Sequence, residues 1–339
     1  LVMVVLLAVG YKAVAMVVVI TTFNVATLLL NWWYCKHRLH IRLRFARFQW
    51  GFLKEVMLFS FWSFLVIIMD RIYWSTGQFV LGIVRGTAAV AIYALAVQLQ
   101  NMFITFSSAF STILLPRITS LVAKGESEKE ISDIFIKTGR IQYIILAFIL
   151  SGFIIFGQDF INLWAGSNYS RTYLICLIFF IPMTVDLIQN MGLVILQARN
   201  QLRFRGTLCI ILGINCFTLS FPFAIWWGEI GCAFAVAVSL VAGQIIAMNI
   251  YYYRRQAIDI PRFWREIGKM SMAPVCLTVV SVTILHLLNI RIESFGKLIL
   301  LGMVYCLIYI PVFWKLGMNS YEKELLMTPV RRFLRPNVK

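Results

Sequence analysis

Four apolar stretches of this 339-residue chain carry polar side chains at helical spacing, and these stripes are where chemistry could be done. Thr21, Asn24, Thr27 and Asn31 step by three, three and four. Ser60, Ser63 and Asp70 share a face, with Arg71 beside it. Gln98, Asn101, Thr105, Ser108 and Thr112 step by three, four, three and four, which makes a continuous polar stripe on one side of an apolar helix. Thr184, Asp186, Gln189, Asn190 and Gln197 cluster in the same way. Two chemistries suit such stripes. Hydroxyls and amides tie membrane helices to one another, or they line a hydrated cavity, because a polar group facing lipid is costly and one facing water is not. A single stripe reads as interhelical bonding. Four in one bundle point to a shared cavity for a hydrophilic ligand. Arg71 is the one full cation well inside an apolar stretch, while Lys12, Arg85 and Arg117 stand at the rims.

Nucleophilic and metal chemistry have little to build on. His37 and His40 belong to a basic segment, and His286 stands alone near the end of an apolar stretch. Cys35, Cys176, Cys209, Cys216, Cys232, Cys276 and Cys306 lie in or at the ends of apolar stretches without paired spacing. They read as small hydrophobes rather than a disulfide frame or a zinc site. No catalytic residue, metal or cofactor is expected.

The elements that must position the stripes follow from composition. Hydrophobic residues make up 61% of the chain and charged residues 13%, with a mean hydropathy of +0.84. Such a chain is not a water-soluble domain. Crossing roughly 30 Å of hydrocarbon takes about 20 apolar residues. Stretches of that kind fall near 13–34, 56–80, 88–115, 139–157, 172–196, 206–227, 230–252, 271–289 and 297–315, after a hydrophobic remnant at Leu1 to Val9. Lipid offers backbone amides no partner, so these must be helices. The expected fold is an all-α polytopic membrane bundle of about nine complete spans.

The net charge of +17 raises the question of nucleic acid. Its placement answers it. Lys and Arg concentrate in alternate connections, at Lys36 to Lys54, Arg117 to Arg140, Arg199 to Arg205, Arg254 to Lys269 and Lys315 to Lys339. The intervening connections carry only Arg85, Arg171, Arg291 and Lys297. Charge spread over five loops is a topology signal rather than a nucleic-acid patch. The basic loops and the C-terminal tail are therefore expected in the cytoplasm, with Ser127 inside and Ser167 outside.

An internal repeat organises the spans. Residues from Gly10 and from Gly228 superpose without a gap: Gly10 meets Gly228, Ala15 meets Ala233, Thr21 meets Ser239 and Asn31 meets Asn249. Trp33 and Tyr34 then face Tyr251 and Tyr252, and Lys36 faces Arg254. One copy would hold six helices. The domain reading is a remnant of an earlier lobe at 1–36, a basic cytoplasmic linker at 37–55, a six-helix lobe at 56–255, two additional helices at 256–316 and a cytoplasmic tail at 317–339. Most of a first lobe is expected to precede Leu1.

That architecture and two strings resemble the polysaccharide-biosynthesis or oligosaccharide flippase family of the multidrug/oligosaccharidyl-lipid/polysaccharide exporter superfamily. The first string spans 59–126, with Phe59 and Ser60 at its opening, Asp70 in the outer half, Tyr93 and Ala96 starting the next helix, and Pro116 and Arg117 at its exit. The second is LWAGSNYSRTYLICLIFFIPM, in which Leu163, Gly166 and Tyr169 fit the family's Leu-x-x-Gly-x-x-Tyr pattern. Arg85 departs from the uncharged turn usual there. The resemblance implies two lobes that open alternately to each side of a bacterial inner membrane. The implied partners are membrane lipids and a polyprenyl-diphosphate-linked oligosaccharide such as an O-antigen, capsule or exopolysaccharide unit, with glycan polymerase machinery beyond. Its diphosphate would need a cation, for which Arg71 steadied by Asp70 is the candidate, flanked by Gln98, Asn101 and Thr105. Asp186, Gln189, Asn190 and Asn24 complete the candidate site. A cation-coupled drug antiporter using Asp70 or Asp186 is the alternative, and a membrane polysaccharide polymerase ranks third.

Overall fold

A computed structural model describes residues 13–38, 50–123, 128–199, 201–288, 292–324 and 327, and the regular structure in them is helical throughout. The expectations for Leu1 to Val9, Lys12, His40, Lys124, Ser127, Arg291 and the tail from 328 lie outside these residues, as do those for the side chains of Ser63, Asp70, Ser108, Thr112 and Arg117. The chain divides into two units, Leu1–Met57 and Leu58–Lys339. The first holds α1 (Ala13–His37), whose Lys36 ammonium lies 5.0 Å over the Trp32 ring and whose His37 stacks on Trp33. This is the aromatic and basic helix end that the sequence pattern predicts. Helix α2 (Trp50–Val84) begins in that unit.

The second unit continues with α3 (Thr87–Ala123), α4 (Glu128–Trp164), a 3-10 turn at Ser167–Tyr169, α5 (Arg171–Ile188) and α6 (Asn190–Ala198). It ends with α7 (Arg203–Leu240), a π-helical stretch at Val241–Ala247, α8 (Met248–Arg255), α9 (Ile260–Leu287) and α10 (Phe295–Leu316). Among the described residues six helical stretches are long and apolar enough to cross a membrane. One of them, Arg203–Arg255, is two arms folded back at Gly228.

The fold at Gly228 has a steric cause. Its φ of 61° with ψ of −134° is backbone that L side chains rarely adopt, and a Cβ at Gly231 would stand 1.9 Å from the Phe223 carbonyl oxygen. Carbonyls at the end of the first arm would lack partners. Arg85 supplies them: its Nε donates to the Ala224 oxygen at 3.2 Å and its Nη2 to the Ile225 oxygen at 2.7 Å. Expected at the rim as a possible ligand contact, Arg85 is a helix cap, where a cation also meets the negative end of the helix dipole.

Among the spans that differ from the sequence reading, two have a clear physical cause. The stretch at 172–196 is broken into α5 and α6 at Gln189, whose φ of −100° and ψ of 6° leave the helix. Helix α4 runs well beyond 139–157 because its first turns are amphipathic. Glu128 and Glu130 favour its N-terminus, and the buried Ile131 and Phe135 carry it onward, Phe135 packing 5.1 Å from Phe263 and 6.0 Å from Tyr252.

The main core joins α2 to α9. Tyr93 of α3 meets Phe179 of α5 edge-on at 5.7 Å, and Phe103 stacks on Phe180 at 4.5 Å. A smaller core of Ile155, Met270, Ala273, Tyr305, Tyr309 and Phe313 fastens α9 and α10 onto α4, where the Tyr305 hydroxyl donates to Ser151 Oγ at 2.7 Å. Ion pairs gather the alternate basic connections at one end of the bundle. Arg199 meets Glu128 at 2.7 Å, Arg262 meets Asp133 at 2.6 Å, and the buried Arg140 meets Glu322 at 2.5 Å and Glu266 at 2.8 Å. Arg171 and Glu229, 2.9 Å apart, pair at the other end.

Candidate functional site

Helix α2 turns one face into the bundle, so Ile67, Arg71, Trp74, Ser75 and Gln78 line a cavity of about 620 Å³. Val97, Asn101 and Ile104 of α3, Leu193 and Gln197 of α6, and Arg205 and Cys209 of α7 complete its wall. A second chamber of about 190 Å³ adjoins it, lined by Asp186 of α5, Asn190 of α6 and Gln244 of the π-helical stretch among apolar neighbours. Trp74, Ile104, Leu193, Arg205 and Cys209 border both. The two chambers form one recess.

Local structure accounts for each polar wall. The break at Gln189 lets Asp186 and Asn190, four residues apart, sit on either side of a kink and aim at one chamber. Gln189 itself turns elsewhere. Its amide forms a reciprocal pair with Asn249, at 3.0 Å and 3.2 Å, and Asn249 also accepts from the Trp264 indole at 3.1 Å. Buried amides of this kind are satisfied by one another and tie three helices together. The π-helical turn, one residue wider than an α-turn, is where Gln244 reaches the recess.

The electrostatics favour an anion. Among the described lining residues there are two guanidinium groups, Arg71 and Arg205, against one carboxylate, Asp186. Arg71 is exposed and, among the described side chains, joins no ion pair. Arg205 and Asp186 both lie within electrostatic range of the buried Tyr252 hydroxyl. Neutral amides from Gln78, Asn101, Gln197, Asn190 and Gln244 surround these charges. They can donate and accept at once.

Of the residues expected from sequence, the recess gathers Arg71, Asn101, Asp186 and Asn190, together with Gln197. Gln98 and Thr105 are exposed on α3 on the same stripe as Asn101 but do not line it; the Thr105 hydroxyl donates to the Asn101 carbonyl at 2.8 Å. Asn24 lies on α1, in the first unit. Four lining polar residues, Ser75, Gln78, Arg205 and Gln244, were not among the site residues expected from sequence. Ser75 and Gln78 continue the face of Arg71 at steps of four and three, and following the stripe one turn further would have found them. Arg205 was grouped with a basic loop, yet it sits in the first turn of α7 and faces inward. Loop counting registers charge and says nothing of direction.

A family model described as "Polysaccharide biosynthesis protein" matches residues 1–174. No curated protein sequence matches the chain. Among solved structures, the fold is similar to that of "Lipid II flippase MurJ, inward closed conformation", with a TM-score of 0.61 and 15% sequence identity. The match covers 86% of this chain and 61% of that one, so this chain spans less than two thirds of the length of the protein it resembles.

Proposed function

The chain belongs to the polysaccharide biosynthesis protein family, and from that premise we propose that it works in moving a polyprenyl-diphosphate-linked oligosaccharide across a bacterial cytoplasmic membrane. The observation that carries this function is the recess itself: two arginines and a set of neutral amides held among apolar helices. A diphosphate stripped of water beside apolar walls is too costly without cationic partners. Arg71 and Arg205 meet that need, while the amides suit the hydroxyl-rich glycan and the polyprenyl chain stays in lipid. The MurJ-like fold lends support, because that protein is a flippase of lipid II. The membrane potential supplies drive, since each negative charge moved from a negative interior outward gains about 2.3 kcal/mol per 100 mV. Asp70, next to Arg71 in sequence, steadies it in this scheme. The exported unit then passes to the polymerising machinery.

In the test, the complete protein is reconstituted into liposomes with a polyprenyl-diphosphate-linked oligosaccharide in the inner leaflet, and the glycan appearing outside is counted with a membrane-impermeant lectin. Potential-stimulated appearance is expected. Its absence, with drug efflux in its place, would make the protein an antiporter. The proposed orientation places Arg140, Arg199 and Arg262 inside and Arg171 outside. In a cysteine-free background, Ser167→Cys is expected to react with an impermeant maleimide added to intact cells and Ser127→Cys only after lysis. The reverse pattern would invert the topology.

A further inference from the structure

We propose, building on the transport reading above, that Trp74 divides the recess into a diphosphate chamber and a saccharide chamber and that the first sugar ring stacks on its indole. Trp74 borders both cavities. Its half-buried ring stands at right angles to Tyr73, with centroids 5.0 Å apart, and to Phe179 at 6.0 Å. Tyr73 is in turn pinned by the hydrogen bond from its hydroxyl to the Val236 carbonyl. The indole is thus set in place before any ligand arrives, which lowers the ordering cost of binding.

The two chambers differ in chemistry on either side of this ring. The larger contains Arg71, one helical turn before Trp74, and suits phosphate oxygens. The smaller contains Asp186, Asn190 and Gln244, with Arg205 on the wall it shares with the larger. A carboxylate accepts, amides both donate and accept, and together they match vicinal hydroxyls. Asp186 also repels a phosphate from that chamber, so the anion is steered to the Arg71 side. A sugar ring presents weakly positive C–H bonds on one face, and an indole presents a negative π face to receive them. Stacking of this kind tolerates different hexoses, while the amides and carboxylate read their hydroxyls. Trp74 is therefore a specificity-determining residue, one that distinguishes a glycosylated lipid from the sugarless carrier.

The experiment titrates the protein in lipid nanodiscs with two probes, a polyprenyl diphosphate and the same lipid bearing one hexosamine. Wild type is expected to bind the glycosylated probe at least tenfold more tightly. Trp74→Ala should bring its Kd to that of the sugarless probe, whose own Kd moves less than twofold and so reports an intact fold. Trp74→Phe should keep most of the discrimination. Equal weakening of both probes by Trp74→Ala, or no change for either, would overturn the assignment. So would a wild type that binds both probes equally, and in that case the transport reading survives. If wild type binds neither probe, both fall together.

Discussion

Arg71→Ala is expected to stop glycan export while leaving membrane insertion and abundance at the wild-type level. The loss should be large because the diphosphate would lose a charge-assisted partner in a recess walled by Val66, Ile67, Val97, Ile104 and Leu193. Truncating one side of such a desolvated pair costs about 3 kcal/mol, on the order of a hundredfold in transport at limiting substrate. Abundance should hold because the exposed Arg71 forms no ion pair among the described side chains, so its removal orphans no carboxylate there. Arg71→Lys should recover part of the activity, since a point charge still meets a phosphate without the bidentate fork. Initial rates in the liposome assay, normalised to protein incorporated, give the measurement. Normal export by Arg71→Ala would remove this residue from the site and leave Arg205 as its cation.

Arg140→Ala is expected to destabilise the protein more than any substitution in the recess. Arg140 is 5% exposed and holds five acceptors from two segments. Glu322 takes Nε at 2.5 Å and Nη2 at 3.0 Å, Glu266 takes Nη1 at 2.8 Å through its carboxylate and at 3.4 Å through its carbonyl, and the Gly317 carbonyl takes Nη2 at 3.4 Å. Glu322 is 2% exposed, and without Arg140 its charge is buried with no counter-ion among the described residues, only the Asn319 N–H at 3.0 Å remaining as a donor. Breaking such a pair costs about 3–5 kcal/mol, which corresponds to a fall of about 10 °C in melting temperature. Scanning fluorimetry in detergent would show it. The double variant Arg140→Met/Glu322→Met should recover most of the loss, because an apolar pair leaves no orphaned charge. A single variant that melts with wild type would show that the network adds nothing to stability.

Comparing particular residues shows how far the sequence could be read. Asn101 and Gln98 were placed on one stripe by spacing alone, and both are exposed on α3, whereas Gln100 between them is fully buried. Period 3.6 is enough to separate those faces. Spacing could not separate Gln189 from Asn190, its neighbour. One is held by Asn249 and the other lines the recess, and the difference arises from a helix break. The equivalence of Asn31 and Asn249 pointed to a repeat, and the structure gives Asn249 a bonding role between helices.

Hydrophobic length, helical period and the alternation of basic loops are local properties of the chain. They determined by themselves that the protein is a multi-pass helical bundle, while the resemblance of two strings pointed to the polysaccharide biosynthesis family, to which the chain belongs. Direction is not local. Arg140, Arg199 and Arg205 look alike as charges in basic connections, yet one is a buried clamp, one is a surface pair and one faces the recess. Only tertiary packing decides which, because a long side chain takes its role from the partners that other helices bring within about 3 Å of its donors.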